Sequence, residues 1–225
     1  MKRTAELVII VLGCALVYSR VARDHRPPSP TASPVAAPSA APPALTLYEC
    51  PHDFADPKSE DLLQRAYENT KDPKSLALFE KLLQREPKSP IGYYHKGDAL
   101  SEQGRYREAI ASLDHAIALQ PGFANALYYR AYCYNELDDP KGWEAGLKDI
   151  SQALALDEDA GNHDLRASLL LQLKRPAEAL VDSDKAVQLE VTREYLKQRA
   201  DVLDALARPK EAAQDRQRAK ALPPD

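Results

Sequence analysis

Across Ile91 to Ala124, small residues stand at Gly97, Ala109 and Ala116, large apolar residues at Leu100 and Leu113, an aromatic at Tyr93 and a proline at Pro121. This spacing predicts two antiparallel helices that approach closely. Small residues let the backbones come near each other, and Gly104 between the two apolar patterns supports a tight turn. One helix pair cannot bury its apolar face alone, so copies are expected. They are present. The small residue of the first helix recurs as Gly97, Ala131, Ala167 and Ala200, at spacings of 34, 36 and 33. The two small residues of the second helix recur as Ala109/Ala116, Gly146/Ala153, Ala179/Ala186 and Ala212/Ala219, at spacings of 37, 33 and 33. The long interval is explained by extra residues in the turn from Asp138 to Trp143.

Upstream, Phe79 and Pro87 lie 34 residues before Leu113 and Pro121, so Ser59 to Glu86 reads as a fifth, degenerate pair. Leu63 and Leu82 fall where small residues belong, which predicts a different packing geometry there. Tyr93, Gly97, Leu100, Ala109, Leu113 and Pro121 match the pattern W-x2-L-G-x2-Y, A-x3-F, P and resemble a tetratricopeptide repeat, with Lys96 departing where leucine is usual. The resemblance implies an all-α, right-handed superhelical solenoid of helix-turn-helix repeats over 91–124, 125–160, 161–192 and 193–225. The degenerate pair occupies 58–90, preceded by a leader segment over 48–57.

A basic residue immediately precedes each first-helix small residue: Lys96, Arg130, Arg166 and Arg199. In the last three repeats an aspartate, Asp149, Asp182 or Asp215, follows three residues after the first small residue of the second helix. In similar repeats these positions face each other, which implies Arg130 with Asp149, Arg166 with Asp182 and Arg199 with Asp215. Arginine's planar fork suits a carboxylate held in such a seam. Ser112 takes the aspartate's place in the first clear repeat, so Lys96 should lack this partner.

In this family the first helices line a concave groove where peptides commonly bind. Carried over by register, that face comprises Tyr94, Asp98 and Glu102, then Tyr128, Tyr132 and Glu136, extended by Asn135, Ser168, Leu171, Gln172, Lys197, Asp201 and Asp204. Each set at i, i+4, i+8 forms one helical stripe. Seven of the eleven tyrosines lie between Tyr93 and Tyr134, and Tyr94, Tyr128 and Tyr132 are not accounted for by the family's core positions. Tyrosine offers large contact area at low ordering cost, so the strip reads as a site for a protein partner, a basic or neutral extended segment or a helix. Chaperone-binding members of the family grip a C-terminal carboxylate with basic side chains. A single Lys197 among these acids does not make that clamp.

Composition changes this picture little. The 225 residues are 44% hydrophobic with a net charge of −4. That balance carries none of the basic surplus expected of a nucleic-acid binder. No phosphate-binding glycine loop, nucleophile elbow, paired-cysteine or zinc-helix motif occurs, so no catalytic residue, cofactor, metal or small-molecule substrate is expected. His95 and His115 read as solvated helix residues. Cys50 and His52 do not complete a zinc site. They belong to a segment, Leu45 to Asp56, expected to dock Leu47, Tyr48 and Phe54 on the first helix pair. Cys50 and Cys133 either bond or leave Cys133 a free buried thiol.

The N-terminus points to the cell envelope of a bacterium. Lys2 and Arg3 precede an uncharged apolar run from Leu7 to Val17, within a segment over 1–19. Three readings stay open: a secretory signal cleaved after Ser19, an uncleaved anchor from Thr4 to Ser19, or a lipobox at Val11-Leu12-Gly13-Cys14 that lipidates Cys14. The linker over 20–47 carries seven prolines and no charge between Pro27 and Leu47, a semi-rigid spacer. At the other end the inward position reads Leu113, Ile150, Ser183, Arg216, which predicts a polar capping helix and no further domain. The function expected is a non-catalytic envelope scaffold with an acidic, tyrosine-lined groove. The alternative is a subunit held by its convex face, whose sign would be exposed apolar residues on the second helices.

Overall fold

The computed structural model describes residues 57 to 223 apart from 68, 69, 71, 73 and 138. The N-terminal segment, Cys14, the spacer and Cys50 lie outside the described residues. Among the described residues there are ten helices and no strand: α1 Pro57–Tyr67, α2 Lys74–Arg85, α3 Pro90–Glu102, α4 Tyr106–Leu119, α5 Ala124–Glu136, α6 Pro140–Leu156, α7 Ala160–Gln172, α8 Pro176–Leu189, α9 Arg193–Ala205 and α10 Pro209–Ala221. They pack as five successive pairs, each second helix also touching the first helix of the next pair. First helices α3, α5, α7 and α9 additionally touch one another in sequence, which places them on the inner side of the curve.

Local chemistry sets the boundaries. Pro90 and Pro140 open their helices behind Ser89 and Asp139, whose side chains accept from the amides of Gly92 and Lys141. Asp159 and Thr192 accept from Asn162 and Tyr195 in the same way, closing amides that would otherwise be orphaned. Second helices α4, α8 and α10 start without a side-chain cap. There Arg105, Arg175 and Arg208 instead grip Glu108, Glu178 and Glu211 one turn on, with nitrogen-oxygen distances between 2.6 and 2.8 Å.

The turns between paired helices share one geometry. Arg105, Arg175 and Arg208 donate their amides back to the carbonyls of Leu100, Leu170 and Leu203, and the residue before each has positive φ: Gly104 at 72°, Lys174 at 60° and Ala207 at 56°. Only the first is glycine. Ala207→Gly therefore stabilises the chain by about 0.5–1 kcal/mol, read as a higher urea midpoint at unchanged slope. In the second repeat the Trp143 ring nitrogen donates to the Leu137 carbonyl and closes the longer turn.

Small residues on one helix complement large ones on its partner. A methyl group at Gly97 would lie 2.7 Å from Leu113 Cγ and 2.9 Å from its Cδ2. At Gly146 the nearest atom, Tyr134 Cβ, would be 3.1 Å away. Overpacking a core costs about 1–3 kcal/mol, whereas glycine to alanine inside a helix gains about 1. Gly97→Ala is thus destabilising, and Gly146→Ala is closer to neutral; thermal melts of both variants check the difference.

The degenerate pair solves the same problem elsewhere. Leu63, Ala66 and Leu82 are buried, and the close approach made by a glycine lies between this pair and the next: a methyl added at Gly92 on α3 would meet Leu83 Cδ2 at 3.0 Å and Leu82 Cδ2 at 3.4 Å. The inward position turns polar along the array. Leu113 and Ile150 are fully buried, Ser183 is buried, and Arg216 at the last position reaches Asp201 and Asp204 on α9.

Candidate functional site

Two charged systems lie on different faces of the first helices. The seam between paired helices is closed by the expected partners. Arg130 Nε and Nη2 donate to Asp149 at 2.7 and 2.8 Å, Arg166 to Asp182 at 2.8 and 2.6 Å, and Arg199 to Asp215 at 2.7 Å through both nitrogens. All three aspartates are buried. Arg130 and Arg199 also reach back one repeat, to Asp114 at 2.5 Å and Asp184 at 3.1 Å. Ser151 stands at the corresponding place in the second repeat, and His163 joins the third pair instead, its Nδ1 2.8 Å from Asp182. Lys96 turns to Glu80 on the preceding pair, at 3.6 Å. These arginines are occupied within the fold and do not form a row for an anionic ligand.

The inner stripe differs. Tyr94 is a packing residue, 8% exposed, and this corrects its place on the groove surface. Its ring meets Phe123 at 5.0 Å and Tyr129 at 5.6 Å, because adjacent first helices approach closely enough for the next repeat to cover it. His95 is not simply solvated, being set against Tyr67 at 5.1 Å and Tyr94 at 4.6 Å, while the exposed His115 stacks on Tyr93 at 4.9 Å. Asp98, one turn on from Tyr94, is 6% exposed. Burial, reinforced by the charge of Glu102, pushes its carboxyl up to about 7 against a weaker opposing contact from the Tyr129 hydroxyl.

Further along, Tyr132 is half-buried edge-on to Tyr106, and desolvation with the nearby Glu136 pushes its hydroxyl up to about 12. Tyr128 meets Tyr129 edge-on at 5.4 Å, and burial together with Asp159 and Asp164 raises its hydroxyl. Asn135 accepts from Ser168 at 3.0 Å and ties α5 to α7. Glu102 accepts from Thr70, and Glu136 accepts from Tyr106 at 3.4 Å; both are exposed. Lys197 is exposed and paired within its own helix to Glu194 at 3.3 Å. Asp201 and Asp204 are neutralised by Arg216 at 2.8 and 2.7 Å, so the C-terminal end of the stripe does not extend the acidic rim.

Sequence reasoning missed Tyr129, Asp164 and Tyr195. Asp164 stands at the same register as Tyr94, Tyr128 and Lys197, so extending that register by one repeat would have found it. Its Oδ1 is buried with no hydrogen-bond partner among the described residues, and burial with the Glu194 charge pushes the carboxyl up to about 7. Tyr128 and Tyr195 both feel its charge. Among the described residues no group of three or more histidines, cysteines or acids could hold a metal, and Cys133 is a buried free thiol. No helix of the described residues is long and apolar enough to cross a membrane.

A family model described as tetratricopeptide repeat matches residues 94–142. Those residues are a tetratricopeptide repeat, and the array has the fold of a tetratricopeptide repeat solenoid. This repeat protein superposes on MamA from Desulfovibrio magneticus RS-1 with a TM-score of 0.66 at 18% identity, covering 75% of this chain and 97% of that one. It superposes on TTC0263, a thermophilic repeat protein of the same kind from Thermus thermophilus, with a TM-score of 0.61 at 19% identity, over 72% and 90% of the two chains. At such identities the likeness shows the fold. A relative from Schizosaccharomyces pombe, DnaJ homolog subfamily C member 7 homolog, is 30% identical over 156 residues, 63% of this chain and 33% of that protein. The repeat protein thus spans about a third of the length of the curated relative it matches. A tetratricopeptide repeat array is a scaffold for protein interaction.

Proposed function

We propose that this protein is a non-catalytic scaffold of the bacterial cell envelope that binds a segment of a partner protein along its inner face. The observation that carries the reading is a contrast between two sets of aspartates whose carboxyls are shielded wholly or partly from water. Asp149, Asp182 and Asp215 each face an arginine, whereas Asp98 and Asp164 on the inner stripe have no cationic partner among the described residues. Burying an uncompensated carboxylate is costly, and a fold that neutralises its other buried acids with arginine leaves these two facing the groove. Half-buried Tyr132 and exposed Glu136 and Glu102 supply adjoining contact surface. The apolar run from Leu7 to Val17 and the proline-rich spacer support an envelope location, with the repeats held off the membrane.

A photo-crosslinking amino acid placed at Tyr132 or Glu136 tests the site against the same group at Val181 on α8. Capture of one partner from the inner positions alone supports the groove. Capture from Val181 alone moves the site to the second helices. That second reading, a subunit held by its outer surface, is favoured by one observation: among the described residues the exposed large apolar residues on helices are Leu119, 42% exposed, and Val181, 70% exposed, and both lie on second helices.

A further inference from the structure

Resting on the groove reading, we propose that Asp98 and Asp164 each receive a lysine or arginine side chain of one extended partner segment, the two basic residues lying about six positions apart, from a first-helix separation of roughly 10 Å and a rise of ~3.3 Å per residue. The chemistry of both sites is the same. Asp98 is buried and Asp164 half-buried with its Oδ1 shielded from water; each stands near an exposed glutamate, Glu102 or Glu194, whose charge adds to the cost of ionising it. The glutamates are engaged at the rim, Glu102 by Thr70 and Glu194 by Lys197, so the incoming cation is directed to the aspartates beneath. Tyrosines stand within electrostatic reach of both carboxyls: Tyr94 and Tyr129 of Asp98, and Tyr128 and Tyr195 of Asp164. An aromatic ring near a carboxyl offers a surface for the aliphatic stem of a lysine or the plane of a guanidinium.

Helices α3 and α7, which carry the two aspartates, are separated by α5 alone. The intervening helix offers Tyr132 at the register of Asp98 and no acid at either aspartate register, so the pattern presented to a partner is charge, aromatic, charge. A segment with bases at both ends and an apolar or small middle fits that order. An acidic segment meets carboxylates at both ends and is excluded.

The test pans a randomised dodecapeptide display library on the full chain and measures the enriched peptides by fluorescence anisotropy. The expected result is enrichment of lysine or arginine pairs five to seven positions apart, with affinity falling at least tenfold in Asp98→Asn and again in Asp164→Asn while circular dichroism shows both variants still helical. Peptides that lack paired bases, or whose binding ignores both substitutions, overturn the inference. If such peptides still lose binding with Tyr132→Ala, the groove stands and only the cation assignment falls. If Tyr132→Ala is silent as well, or no peptide is enriched, the groove reading falls with it.

Discussion

Arg130→Ala lowers the stability of the chain by about 3 kcal/mol, the range seen when one member of a buried ion pair is removed and the other is left without a partner. Asp149 is buried on α6 and takes both of its strong contacts from this one guanidinium. Arg130 also reaches Asp114, but that carboxylate is exposed and the contact adds little. Alanine therefore removes the α5 to α6 clamp in the middle of the array, where the damage is felt by neighbours on both sides. Arg166→Ala is milder, because His163 remains 2.8 Å from Asp182. Urea unfolding followed by circular dichroism distinguishes the two. A double change, Arg130→Met with Asp149→Leu, recovers most of the loss, since an apolar pair of similar size needs no charge compensation. Equal losses at Arg130 and Arg166, or no recovery in the double variant, would contradict the account.

Asp98→Asn and Asp164→Asn act in the opposite direction, each raising stability by on the order of 2 kcal/mol at pH 8, with the gain absent at pH 4. The sign follows from where the proton resides. Both carboxyls are raised from 3.8 to about 7 in the folded chain. Below about pH 4 each is neutral in both folded and unfolded chains, and burial carries no ionic cost. As pH climbs towards 7 the unfolded chain ionises while the folded chain keeps its proton, so stability declines. Above 7 the penalty is constant, and asparagine removes it. The groups facing these carboxyls are Tyr94, Tyr129 and Glu102 around Asp98, with the raised thiol of Cys133 nearby, and Tyr128, Tyr195 and Glu194 around Asp164. None is a cation that could reverse the direction. Melts of both variants against the parent chain across this pH range check it, and a gain that is the same at pH 4 and pH 8 would contradict it.

The two results together separate structural charge from recruiting charge. Removing a seam partner weakens the fold, whereas neutralising an inner-stripe aspartate strengthens it. A residue that costs the free protein stability is expected where a bound partner relieves the strain. The same reasoning makes Asp201 and Asp204 poor candidates for partner contact, because Arg216 already satisfies both.

The repeats, their registers and the three arginine-aspartate pairs were legible in the sequence by itself. Each of those features lies within one helix pair, where a spacing near 34 residues carries helix length, turn and facing positions together. The polar last helix was legible for the same reason, through the drift from Leu113 to Arg216 at one register. What only the tertiary structure decided lies between repeats. Periodicity names the residues on the inner stripe but does not say how closely neighbouring first helices approach. That approach buries Tyr94 under Phe123 and Tyr129, hides Asp98, and leaves Tyr132 partly open. Packing between pairs likewise sets Gly92 on α3 against Leu82 and Leu83 on α2, a close contact that the spacing within the first pair does not show. Whether an acid on the stripe is neutralised depends on which long side chain reaches it across helices. Arg216 reaches Asp201, and no arginine or lysine among the described residues forms an ion pair with Asp98 or Asp164. The sequence determined the array, and packing between its units determined which of its charges remain available.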